Sequence, residues 1–282
     1  MRFSLPRIGA TAILALLVAA GAGCSLINKV RAKNELNETA KAYKEGHFDQ
    51  AEQHAKRALS LDPTNKTALI FIARVIHQQY KPGVDQPDNV QRARDAIEAY
   101  KKILEVDPDN EEAYKAISVL YAAIKDETKL REWIQARAND AKKRDEQRAE
   151  AYAILAGKDW DCSFKITELS ENKLTSNEGG SPKVTYQKPK DPKEFENIQR
   201  CVVRGLEEAE TAIKHDQNNE SAWSYKTNLL IENAKIAKMN GEEDKAAQYS
   251  KQAEVAQKRA SALADERRKK EEAAEAAASP TS

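Results

Sequence analysis

Histidine is scarce in this chain, and its four copies are scattered. His47, His54, His77 and His215 show no metal-ligand spacing, so no metal site is expected. Gly179-Gly180 has neither the lysine nor the helix context of a phosphate-cradling loop, and no serine stands in a nucleophile elbow. These absences argue against an enzyme and against a bound cofactor. Charge of one sign is lacking too: 46 basic residues stand against 45 acidic ones, which gives no electrostatic footprint for nucleic acid. The apolar run Ile8 to Ala20 is shorter than the roughly 20 residues that span a bilayer. Aromatics make up 6% of residues and charged side chains 32%, a composition suited to exposed helices with narrow apolar stripes.

What is present is a recurrence. Ala58-Leu59-Ser60-Leu61-Asp62-Pro63-Thr64-Asn65, Ile103-Leu104-Glu105-Val106-Asp107-Pro108-Asp109-Asn110 and Ala212-Ile213-Lys214-His215-Asp216-Gln217-Asn218-Asn219 end alike. Each leads into a small residue and then a bulky one: Ala68-Leu69, Ala113-Tyr114, Ala222-Trp223. Proline disfavours helical geometry in the residue before it, so an amphipathic helix ends there and the next opens on an apolar anchor. Helical hairpins repeated side by side read as a solenoid.

Gly46, Phe48, Ala51, Ala55, Ala58, Leu59, Leu61 and Pro63 carry a closer resemblance. Small residues three or four apart let two helices approach, while Phe48 and Leu59 fill the space between hairpins. The segment from Ala32 to Asn65 resembles the tetratricopeptide repeat. Ala51, Ala58, Phe48 and Pro63 occupy four of its slots and Thr39 a small one; Glu35 stands where the family has a bulky residue. The resemblance implies an all-α, right-handed superhelical solenoid of about five hairpins, spanning 34–265. The second hairpin carries a turn-rich surplus from Tyr80 to Asn89. The fourth carries an irregular insertion, 158–194. Within that insertion Lys165-Ile166-Thr167-Glu168-Leu169 and Lys183-Val184-Thr185-Tyr186-Gln187 could pair as a small hairpin, and the former could equally prolong a helix. A charged, alanine-rich tail, 266–282, follows, with an end that frays at Ser279-Pro280.

Cys162 and Cys201 bracket the insertion. In an exported protein they suggest a disulfide closing it, and two unrelated core thiols are the alternative. Export is the reading of the N-terminus. Arg2 and Arg7, the apolar run and Gly21-Ala22-Gly23-Cys24 resemble a bacterial lipoprotein signal over 1–23, with Gly21 where leucine is usual. That resemblance implies acylation of Cys24, a tether over 24–33 and, with Ser25 next, an outer-membrane destination facing the periplasm. Ordinary secretory cleavage would leave Cys24 incidental.

The family's groove positions fall on Arg74 and Gln78 in the second hairpin, Lys115 in the third, and Ser224 and Asn228 in the fifth, with Trp160 at one end beside the insertion. The slots that clamp a carboxylate in some relatives hold Leu36 and Ala40, so that chemistry is not implied. The expected function is a non-catalytic, membrane-anchored scaffold or adaptor that binds a protein or peptide partner in the cell envelope, attached to the membrane through the Cys24 lipid. The alternatives are an accessory factor for cell-wall or polysaccharide export that binds glycan, and a regulatory subunit of an enzyme complex.

Overall fold

Asn65, Asn110 and Asn219 each open a helix in the same way. Their side-chain oxygens accept the backbone N–H of Ala68, Ala113 and Ala222 at 3.0, 3.0 and 2.9 Å. Each cap satisfies one of the donors a helix N-terminus leaves unpaired. The turn before it is closed by a bond from the cap's own N–H to the carbonyl of Asp62, Asp107 or Asp216. Gln217 stands where the other two turns have proline, and the geometry is kept.

The computed structural model describes the backbone of residues 9–178 and 181–278, and the side chains of 26–177 and 182–277. It is an all-α helical-repeat fold with one inserted β-hairpin. The order is α1 (Gly9–Lys44), α2 (Phe48–Leu61), α3 (Lys66–Gln79), α4 (Pro87–Val106), α5 (Glu111–Ala123), α6 (Glu127–Asn139), α7 (Asp145–Thr167), β1 (Lys173–Glu178), β2 (Ser181–Tyr186), α8 (Pro192–His215), α9 (Glu220–Met239) and α10 (Glu243–Ala278). Among the described residues α1 pairs with α2 and α3 with α4 in the first unit, and α7 pairs with α8 and α9 with α10 in the second. The chain divides into two compact units, with the division between Leu130 and Arg131, inside α6.

In the first unit alanines set the helix spacing. Ala32, Ala58 and Ala68 are fully buried together, flanked by Leu36, Leu59 and Leu61. Ala42, Ala51 and Val75 form a second cluster with Tyr43 and Phe48. The packed face therefore reaches back to Ala32, inside the stretch read as a tether. Glu35, which displaces the expected bulky residue, finds polar partners on α2 instead: His54 at 2.7 Å and Arg57 at 3.0 Å. Gly46 turns α1 into α2 with φ +77°, a conformation open to glycine. The surplus loop after Tyr80 is pinned by the Asn89 amide, which donates to the carbonyls of Lys81 and Val84.

In the second unit α7, α8 and α9 meet closely. Ala156, Ala209 and Leu229 form the centre. Ile198, Val202 and Ile236 continue it toward the β-hairpin, and Leu230, Ala253 and Ala256 continue it toward α10. The insertion is more regular than expected. Helix α7 runs on to Thr167, so Lys165 to Thr167 prolong the helix and do not pair with the 183–187 segment. The partner of β2 is β1, in the antiparallel register Lys173↔Tyr186, Leu174↔Thr185, Thr175↔Val184. The tail likewise continues α10 as far as Ala278; the fraying expected at Ser279-Pro280 lies outside the described residues. Arg2, Arg7 and the Cys24 side chain also lie outside them. No helix among the described residues is long and apolar enough to cross a membrane.

Candidate functional site

Three of the residues expected to line a groove lie in the first unit. Arg74 on α3 is not an open cation: its Nη2 donates to both Glu112 carboxylate oxygens on α5, at 2.8 and 2.7 Å. That bond holds the Arg74 guanidinium above its ordinary value and Glu112 below its own. Both side chains are largely exposed, so the pair contributes little stability. Gln78 and Lys115 are exposed on the same two helices. Beneath them His77 contacts the Tyr100 hydroxyl at 3.2 Å, and burial lowers the histidine and raises the tyrosine to about 12.

Trp160, Ser224 and Asn228 belong to the second unit. The Trp160 ring packs against Phe164 and Tyr225, with centroids 5.0 and 6.2 Å away, and against the Ala156–Ala209–Leu229 centre. Ser224 and Asn228 are half-buried on α9. Cys162 on α7 and Cys201 on α8 form a disulfide, with Cα atoms 6.2 Å apart.

Two buried polar clusters in this unit escaped the sequence reading. In the first, Asp159 on α7 is shared by two arginines. Arg131 on α6 reaches both of its oxygens at 3.1 Å, and the Nε of Arg204 on α8 donates to Oδ2 at 2.6 Å. Arg131 also donates to Glu208 on α8 at 2.6 Å. Burial, and then the Asp159 carboxylate, push Glu208 up to about 8 against the pull of the arginines. Its Oε2 is buried without a hydrogen-bond partner among the described residues.

The second cluster latches the β-hairpin to α9. Lys235 donates to Glu168 at 2.8 Å and to Glu232 at 2.7 Å, and its ammonium lies 4.4 Å from the Tyr186 ring centroid. Tyr186 and Lys173, from the two strands, also donate to Glu168. Burial alone would raise Glu168, but the bonds from Lys173, Lys235 and Tyr186 override it and hold it at about 2. Thr167 at the end of α7 closes the ring on Glu232 at 2.8 Å. Beside this latch β2, α9 and α10 enclose a cleft of about 610 Å³.

Chemically these clusters fasten helices together. The histidines are engaged separately, in contacts with Glu45, Glu35, Tyr100 and Asp145. No group of three histidine, cysteine or carboxylate side chains among the described residues could hold a metal ion.

No family model matches the chain, and no curated protein matches it. Among solved structures it is similar to MamA from Desulfovibrio magneticus, with 12% identity, 81% of this chain and 96% of that one covered, and a TM-score of 0.37. It is also similar to PilF of Pseudomonas aeruginosa, with 15% identity, 80% and 91% coverage and a TM-score of 0.31. A tetratricopeptide repeat protein from Parabacteroides merdae aligns with 14% identity, 83% and 98% coverage and a TM-score of 0.34. Likeness this distant carries no functional argument. The helical-repeat description rests on the chain's own hairpins, capped turns and alanine spacing.

Proposed function

We propose that this chain is a non-catalytic adaptor of the bacterial cell envelope, anchored by a lipid on Cys24 and binding a protein partner through its hairpins. The observation that carries the reading is the Cys162–Cys201 bridge between α7 and α8. Such bonds persist in oxidising compartments, and the leader ending Gly21-Ala22-Gly23-Cys24 supports delivery to one. Ser25 favours the outer membrane, facing the periplasm. The partner is a protein in preference to a glycan, because the Trp160 ring packs at a tilt against Phe164 and Tyr225 and against the core, and so is engaged within the fold instead of standing free for a sugar.

Metabolic labelling with an alkyne palmitate tests the anchor. The expected result is label on the wild-type chain in the membrane fraction and none on Cys24→Ser. An unlabelled, soluble wild-type chain would overturn the anchor. Crosslinking in intact cells tests the adaptor reading, with a defined protein as the expected capture. Recovery of glycan alone would favour an accessory role in cell-wall or polysaccharide export.

A further inference from the structure

The free edge of β2 has a definite phase. Gln187 N–H donates to the Asn172 carbonyl at 2.9 Å, extending the Lys173↔Tyr186 register by one pair. Antiparallel ladders alternate between bonded and non-bonded pairs. Residues 183, 185 and 187 therefore turn their backbone groups toward β1, and Pro182, Val184 and Tyr186 turn theirs outward. Pro182 fits this phase, since its missing N–H falls on the open side, where proline is tolerated. Near the hairpin tip the edge is thus blunted. Beside the cleft, at Val184 and Tyr186, it is open.

The cleft beyond that edge has the build of a strand receptor. Ile231 and Ala234 of α9 line it together with Ser250, Ala253 and Glu254 of α10. Val184 is 45% exposed and Ile231 43%, so apolar surface sits next to the open edge. The latch through Lys235, Glu168 and Tyr186 fixes the hairpin on α9, so the edge is held in place before anything binds. The charged residues that α10 brings to the cleft are Glu243 and Glu254, while Lys183 of β2 and Lys235 and Lys238 of α9 line its other sides, Lys235 being held by Glu168 and Glu232.

The geometry points to a strand-addition site here: β2 takes an extended segment of a partner protein as a third strand, with an apolar side chain on Ile231 and Ala234 and a lysine or arginine toward Glu243 and Glu254. Main-chain hydrogen bonds would supply affinity and the two side-chain contacts specificity, as in other edge-strand recognition. The inference rests on the adaptor reading and names the segment that such a partner would present.

A phage-displayed library of short random peptides, selected on the intact disulfide-bonded chain, tests it. The expected clones combine an apolar residue with a basic one. A representative synthetic peptide should bind Val184→Pro about tenfold more weakly or worse. That substitution removes an outward N–H and leaves the β1 ladder intact. Ile231→Arg, which leaves the strand untouched, should weaken binding in the same way, and Glu254→Lys should shift the selection toward acidic peptides. Helical circular dichroism and thermal midpoint, measured on each variant, separate lost binding from lost fold. No enriched clones, or clones that bind Val184→Pro and Ile231→Arg as well as wild type, would overturn the site. Capture of the same partner by Val184→Pro in intact cells would also overturn it, and would leave the adaptor reading standing.

Discussion

Gly205 of α8 faces Asp159 of α7 with no room between them: a β-carbon on Gly205 would lie 3.0 Å from the Asp159 Cβ and 2.8 Å from Leu229 Cδ2 on α9. Helix interiors disfavour glycine, so its presence in mid-α8 reflects this contact. The Asp159 Cβ cannot swing away, because its carboxylate is held by two arginines. Gly205→Ala should therefore lower stability by about 1–3 kcal/mol, the usual range for overpacking a core, despite alanine's better helix propensity. Chemical denaturation of wild type and variant provides the check, and a stabilised variant would contradict the close contact.

The neighbouring carboxyl predicts a pH dependence. Folding pushes Glu208 up to about 8 from its ordinary 4.5, so between those values the folded chain holds a proton the unfolded chain has released. Stability from this group is complete below pH 4.5 and drains away as pH rises toward 8. Each unit of displacement is worth about 1.4 kcal/mol, so the fall is on the order of a few kcal/mol. Glu208→Gln should flatten the unfolding free energy across that window. An unchanged slope in the variant would assign the dependence elsewhere.

These two contacts also mark where the sequence stops being legible. The turns at Asp62, Asp107 and Asp216 were readable because each signal is local. So were the alanine faces that follow them. The insertion expected to start at 158 begins inside α7, where the helix's buried face turns polar: Asp159, Ser163 and Thr167 are all buried. Their partners are Arg131, Arg204, the Trp160 carbonyl and Glu232. Three of these lie on other helices, and no period within α7 announces them. The latch on Lys235 is hidden in the same way, since Glu168 precedes it by 67 positions. Arg74 was legible as an exposed polar residue on a hairpin's first helix, but its engagement by Glu112 was not. Cys162 and Cys201 were readable as a candidate pair only through their number and placement around the insertion.

The bridge has its own expected cost of removal. Cys162 and Cys201 are 39 positions apart, and the loop they close includes the whole β-hairpin. Chain-entropy reasoning gives up to about 4 kcal/mol for a loop of that size. Adding a reductant should lower the denaturation midpoint of the wild type. The Cys162→Ser/Cys201→Ser chain should start lower and ignore the reductant. A wild-type midpoint indifferent to reductant would mean the bridge contributes nothing to the fold.

Gln217 offers a test in the opposite direction. Its two counterparts, Pro63 and Pro108, follow aspartates with φ, ψ of −138°, 88° and −144°, 78°. Asp216, before Gln217, is at −145°, 102°, so it already holds the extended geometry proline demands of its predecessor. The Gln217 carbonyl accepts from Trp223 Nε1 at 3.0 Å, a bond proline would keep. Gln217→Pro should thus restrict the unfolded chain without straining the folded one, raising stability by about 0.4–1 kcal/mol. Differential scanning calorimetry would register this as a higher transition temperature. A lower one would show that the third turn differs from its two counterparts in a way its hydrogen bonds do not reveal.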